Sequence, residues 1–459
     1  VALHDLTALE QAEAIRAGEL TSVELTRHYL ERAHRLNEAV GAFALIADDL
    51  ALEQAATADA AVQSADDPAE LPVLHGVTVP VKDLNNVAGV RARFGSRTVD
   101  LIPDFDDDIA AELRSGGTVM LGKTTTPEFG LPAYTESDIG PYARTPWDPS
   151  RGAGGSSGGA AAAVAAGLAA VAHGSDGGGS IRIPASSCGL VGIKPSRGLV
   201  SNGPWPDGLG QLGVQGALAR TVRDAAALLG VLAGRDRAYV DGVRDPGRLV
   251  IGWYDDPVIA ETDVDPEALR AVAETRTLLE SLGHELVPID VPLPLEAVPH
   301  FELIWAVGAA GIPVSPDQEQ DLRPLTQWLR HRGRQVPAER LESALALMAH
   351  HAQSAMAASA HVDVVLTPTL AQLPAPIGGI RDDVDPASDF EAQKRFTPYT
   401  STYNMTGQPA ISLPLHWTDA GLPVGVQLVG RPLAEQTLFD LAVQLESTRP
   451  WADRHPEVW

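Results

Sequence analysis

Residues 152–182 read GAGGSSGGAAAAVAAGLAAVAHGSDGGGSIR, and the fold of this chain turns on how that stretch is understood. Two Gly/Ser clusters, at 152–159 and 174–182, bracket an alanine-rich run. A flexible linker would share that composition. Here apolar segments at 160–171 and 189–193 tether both clusters inside a core, so the loops are held in place rather than free to sweep. The run 160–171 is far shorter than the ~20 apolar residues of a membrane span and reads as a buried helix.

Outward from that centre the pattern alternates. On the N-terminal side, 76–81 is a short β-rich run with Lys82 at its end, followed by a helix near 108–114 and a second strand at 118–121. Further back, Thr21 and Glu24 form a capping box that opens an amphipathic helix to about residue 36, and 59–70 reads as a helix end and loop. Towards the C-terminus, 220–232 is an amphipathic helix, and 249–253, 362–366, 410–415 and 424–428 are buried strands. Residues 291–352 are helical and less patterned. Strand and helix in alternation predict an α/β fold, in one domain over 1–459 with a core of about 60–250 and 360–459 and a helical insert of about 285–355.

Acidic residues outnumber basic ones by 60 to 34, a formal net charge of −26. That field repels phosphate backbones and anionic lipid, so neither nucleic acid nor a membrane is an expected partner, and it also favours solubility. Cys188 is the only cysteine, which rules out an intrachain disulfide and a four-thiolate zinc site and suits a reducing cytoplasm. The first residue is Val1, so a leader removed before it is compatible with the sequence.

Ser180 follows three glycines where a loop enters a helix, which exposes its Oγ. Its own N–H and those of Gly177, Gly178 and Gly179 can face one cavity and receive a developing oxyanion. A Gly-rich turn with a helix-capping serine would carry the same residues. A serine nucleophile needs a base. His173, seven residues upstream at the end of an apolar strand, reads as structural. Lys82 enters the end of a sheet, where desolvation depresses an amine's pKa and frees it to accept a proton; the bland alternative is an ion pair with Asp83.

These features occur as a set. Pro80-Val81-Lys82-Asp83, Gly154-Gly155-Ser156-Ser157-Gly158-Gly159 and Asp176-Gly177-Gly178-Gly179-Ser180-Ile181-Arg182 stand in order, with 24 residues from Ser156 to Ser180. Gly189-Leu190-Val191-Gly192-Ile193-Lys194-Pro195, Asn404-Met405-Thr406-Gly407-Gln408-Pro409-Ala410 and Pro423-Val424-Gly425-Val426-Gln427 complete the series. Together they resemble the amidase signature hydrolases over nearly the whole chain, weakening at roughly 285–360. The resemblance implies a central twisted mixed sheet covered by helices on both faces. It implies Ser180 as nucleophile, Lys82 as general base and later acid, and Ser156 as the bridging serine after a cis Gly155–Ser156 peptide. Gly177, Gly178, Gly179 and Ser180 would form the oxyanion hole, with Asp176, Arg182 and Ser157 supporting the loop. Gly177 departs from the pattern, since many relatives carry threonine or a larger residue there.

No cofactor and no metal are expected. The implied substrate is a small amide, anilide or carbamate, with esters also open to the same chemistry, and the chain is expected to be a cytoplasmic monomer or homodimer. Among the family's less uniform regions, Phe129, Tyr134, Trp205, Trp305 and Trp328 are candidates to line the pocket, though such aromatics equally suit a core. Three other readings compete. An α/β-hydrolase elbow at Gly154-Gly155-Ser156-Ser157-Gly158 requires a preceding apolar strand, where this chain has Pro146 and Pro149. An amidotransferase A-type subunit, releasing ammonia from glutamine for a tRNA-bound partner, typically has glutamine at the position of Ile183. A non-enzymatic scaffold would have no need of all three catalytic residues.

Overall fold

The computed structural model describes residues 2–459. The Thr21 capping box forms: Glu24 N–H donates to Thr21 Oγ1, and Thr21 N–H donates to the Glu24 carboxylate at 2.9 Å. The helix it opens, Ser22–Val40, packs on a small sheet of β1 (Phe43–Ile46), β2 (Val81–Lys82) and β3 (Gly122–Thr124), ordered β1-β3-β2. Strands were expected at 76–81 and 118–121. The structure keeps only a parallel bridge there, Thr78 with Val119, and shifts the regular ladder to 81–82 against 123–124. Gly76 turns the chain at φ +77° and Pro80 has no N–H to give, so the earlier stretch cannot pair continuously.

The main sheet has eight strands: β4 (Val171–Asp176), β5 (Val191–Lys194), β6 (Val214–Ala219), β7 (Val250–Trp253), β8 (Glu285–Pro288), β9 (Val364–Pro368), β10 (Ala410–Trp417) and β11 (Pro423–Gly430). Their order is β4-β6-β5-β10-β11-β9-β7-β8. β7 runs parallel to both β8 and β9 while the other neighbours are antiparallel, so the sheet is mixed. Side chains alternate between two cores, as the period of two requires. Ala217 and Ala219 of β6 lie in the core with helix Val222–Leu232, and Leu218 lies in the opposite one with helix Gly158–Ala165. Helices Pro266–Ser281 and Glu435–Thr448 cover the first face, and Gly158–Ala165 and Arg182–Cys188 the second. Burial on both faces is why strands such as β9 and β10 are largely apolar along their length.

Two expected elements change. The helix placed over 160–171 ends at Ala165, because Gly167 takes a left-handed turn at φ +62° and the chain re-emerges as β4. The helical insert placed from 285 begins later, since Glu285–Pro288 is the edge strand β8. Helices Val298–Ala310, Pro324–Arg334 and Ala338–Ala358 follow it. No strand precedes the Gly154–Gly158 turn closely enough to build a nucleophile elbow. Among the described residues no helix is long and apolar enough to cross a membrane.

Candidate active site

β2 docks beside the start of β4: His173 N–H donates to the Pro80 carbonyl at 3.1 Å, and Lys82 N–H donates to His173 Nδ1 at 3.4 Å. The far side of the His173 ring meets Gln215 at 2.9 Å. Burial, partly opposed by the Gln215 hydrogen bond, pulls its pKa down to about 3, so the imidazole is neutral and occupied in joining the two strands. Docking this way carries the Lys82 side chain under the Gly/Ser loops. Asp83 does not pair with it, because that carboxylate lies 2.9 Å from Lys123 instead.

The Lys82 amine is fully buried, 2.8 Å from Ser156 Oγ, 3.0 Å from Ser175 Oγ and 3.3 Å from the Ser175 carbonyl. Burial lowers its pKa to about 7, against a smaller upward pull from the Asp176 carboxylate. The Gly155–Ser156 peptide is cis. Glycine is needed at 155 because a Cβ would stand 2.6 Å from the Tyr134 backbone. Ser157 ties the two loops together: its N–H donates to the Ser180 carbonyl at 3.1 Å and its hydroxyl to the Ser175 carbonyl at 3.1 Å.

The second loop is built around Asp176. Burial pushes this carboxyl up, but Arg182, Lys194 and Asn404 outweigh burial and hold it well below the usual carboxylate range. It accepts from Arg182 through two nitrogens (2.9 and 3.0 Å), from Gly179 N–H (2.8 Å), from Ile181 N–H (3.1 Å) and from Asn404 (2.8 Å). Arg182, fully buried, also reaches the Thr400 carbonyl, Gln427 and the Asn404 side chain. Thr400 in turn donates to the Gly178 carbonyl at 2.7 Å, and a Cβ on Gly179 would collide with the Thr400 hydroxyl.

This network corrects the expected oxyanion hole. Gly179 N–H is already given to Asp176, whereas the N–H groups of Gly177, Gly178 and Ser180 donate to no acceptor among the described residues. Ser180 Oγ likewise has no hydrogen-bond partner among them, and no hydrogen bond joins it to Ser156 Oγ; both serines border one cavity of about 450 Å³. A smaller cavity of about 60 Å³ opens on the other side of Ser180.

Of the five aromatics expected to line the pocket, Phe129 and Trp305 do so. Tyr134 is buried, with its hydroxyl donated to Asp389 at 2.6 Å. Trp328 packs on Phe390 beneath Arg332. Trp205 is 57% exposed, edge-on to Phe105, and borders a separate surface cavity. Ser175 was not anticipated, since a serine inside a Gly/Ser run carries no distinguishing mark. Asn404 lay within the matching tail, and that position was the signal for it. Among the described residues no group of three or more His, Cys, Asp or Glu side chains is arranged to hold a metal ion.

The profile of the Amidase family matches residues 24–439. AmiB2 of Mycobacterium tuberculosis (strain ATCC 25618 / H37Rv) is 37% identical, with 98% of each chain covered. The 6-aminohexanoate-cyclic-dimer hydrolase of Pseudomonas sp. (strain NK87) is 31% identical over 98% of this chain and 96% of that protein. Among solved structures, a 6-aminohexanoate cyclic dimer hydrolase superposes with a TM-score of 0.88 at 30% identity, covering 100% of this chain and 99% of that one. A bacterial aryl acylamidase shares the fold with a TM-score of 0.86 at 24% identity, covering 98% of this chain and 97% of that one.

Proposed function

Because this chain belongs to the amidase family and is a hydrolase of amide C–N bonds, we propose that it works through an acyl-enzyme on Ser180, with Ser156 and Lys82 as its proton relay. The observation that carries this reading is the buried Lys82 amine 2.8 Å from Ser156 Oγ, in a setting that favours its neutral form. In the first half-reaction Ser180 Oγ attacks the carbonyl carbon, its proton passes to Ser156, and the Ser156 proton passes to Lys82. The free N–H groups of Gly177, Gly178 and Ser180 receive the oxyanion. The proton then returns through Ser156 to the leaving nitrogen, which lets a poor leaving group depart. Water hydrolyses the acyl-enzyme by the same path. The link between the two serine hydroxyls closes in the substrate complex, where catalytic hydrogen bonds tighten.

Small amides, anilides and carbamates are the substrates this site suits, and esters would be cleaved by the same step. The helices between β8 and β9 supply Phe301 and Trp305 to its walls, so we take that segment as the part that sets substrate choice. The amidotransferase reading is not favoured, because Ile183 presents an apolar side chain to the small cavity. A single, buried Cys188 supports a cytoplasmic setting, with the chain acting as a monomer or homodimer. The test is labelling with a fluorophosphonate, followed by mapping of the adduct and turnover by Lys82→Ala. Labelling at Ser180 is expected; label at another serine, or near-normal turnover without Lys82, would overturn the assignment.

A further inference from the structure

Ser180 stands between two cavities of unequal size, about 450 Å³ and about 60 Å³, and borders both. Ser156 borders only the large one. Ile183, Phe301 and Ser401 border only the small one, and Leu131 and Trp305 form the partition between them.

Proton transfer then dictates which half of a substrate lies where. The departing nitrogen must be protonated as the C–N bond breaks. Its donor is the Ser156 hydroxyl, which faces the large cavity. We propose that the amine half of the substrate occupies the large cavity and the acyl half the small one. The enzyme therefore takes amides or carbamates in which a bulky, largely apolar amine, of the arylamine type, carries a short acyl group. This rests on the Ser180–Ser156–Lys82 reading above. Ser180 Oγ bonds to the carbonyl carbon and its proton moves through Ser156 to Lys82. The C–N bond breaks as Ser156 protonates the amine and recovers a proton from Lys82. The short acyl group stays esterified to Ser180 in the small cavity until water releases it as the acid.

The dimensions agree. Measured the same way, the large cavity, at about 450 Å³, is several times the size of the small one, at about 60 Å³, so the shorter half of a substrate suits the latter. The large cavity has walls of Leu84, Phe94, Phe129 and Ile304, suited to a planar apolar ring.

The experiment uses the purified full chain and a series of 4-nitroanilides with acyl groups from acetyl to octanoyl, alongside a primary amide with a bulky acyl half, 2-naphthamide. The expected result is a fall in kcat/KM of about tenfold or more between butyryl and octanoyl, with 2-naphthamide poorer than the acetyl anilide. Phe301→Ala should narrow the gap between octanoyl and acetyl. An optimum at octanoyl, or 2-naphthamide outpacing the acetyl anilide, would overturn the partition. If Ser180 takes the fluorophosphonate but the preferences run in reverse, only the partition falls; if Ser180 is unreactive and no amide turns over, the catalytic reading falls with it.

Discussion

Lys82 Nζ turns one side to Ser156 Oγ, at 2.8 Å, and two to Ser175, whose hydroxyl and carbonyl lie at 3.0 and 3.3 Å. A neutral amine has two hydrogens and one lone pair. The two Ser175 oxygens accept the hydrogens, and the lone pair is left for the Ser156 O–H. An ammonium group has three hydrogens and no lone pair, so it would donate to Ser156 and leave that hydroxyl with no base. The protonation state of Lys82 therefore sets which way the Lys82–Ser156 hydrogen bond runs.

The pH profile follows from this. Burial brings the Lys82 amine down to about 7, and the base is competent only when neutral. With an uncharged substrate, kcat/KM should rise with pH through a limb centred near 7 and level off above it. Initial rates between about pH 6 and 9 check this, and a profile that falls across that range contradicts it.

Ser175 should show itself as a positioning residue. Ser175→Ala removes one acceptor from the amine and should lower kcat by about three- to tenfold, the equivalent of one ordinary hydrogen bond. Because the ammonium loses more than the amine does, the rising limb near 7 should also move to lower pH. Ser175→Thr keeps the hydroxyl and should restore both readings, which a purely structural role would not produce.

Arg182 is expected to dominate the stability of the centre. Arg182→Met leaves the Asp176 carboxylate buried without its principal partner, at a cost of about 3–5 kcal/mol. Arg182→Lys keeps the charge but cannot reproduce the fork that reaches Asp176 through two nitrogens and Thr400 and Gln427 through a third, so it should recover only part of the loss. Urea unfolding of the three proteins measures the difference.

Gly177 makes room for Trp305. A Cβ at 177 would stand 3.2 Å from the indole ring, a distance the ring must yield to admit. Gly177→Thr should therefore displace Trp305 and reduce kcat/KM for an arylamide by about tenfold or more, with Gly177→Ala intermediate. The measurement is the ratio of kcat/KM for an acetanilide to that for N-methylacetamide in each variant, which should fall as the side chain grows.

Lys82, Ser156 and Ser180 stood out in the sequence because their surroundings demand unusual residues, and the structure sets Lys82 2.8 Å from Ser156 with both serines on one cavity. Glycine at 155 and 179 answers to backbone and side-chain atoms that leave no room for a Cβ, and such demands surface as composition. The pocket walls were not legible in the same way. Tyr134 finds its hydroxyl partner in Asp389, 255 residues away, and no local pattern distinguishes it from Phe129, which does face the cavity. The expected donor Gly179 could be withdrawn only once Asp176 was seen to hold its N–H. Strand β6 escaped notice because Gln215 and Gly216 interrupt its apolar run, although Gln215 is needed there to meet His173.

Arg182 joins the loop bearing Ser180 to residues made 218 to 245 positions later. During synthesis the loop bearing Ser180 leaves the ribosome long before Thr400, Asn404 and Gln427 exist to brace it. A growing chain thus has Ser180 early and the partners that fix its loop late. The bracing of that loop is complete only once residues 400–427 have been made.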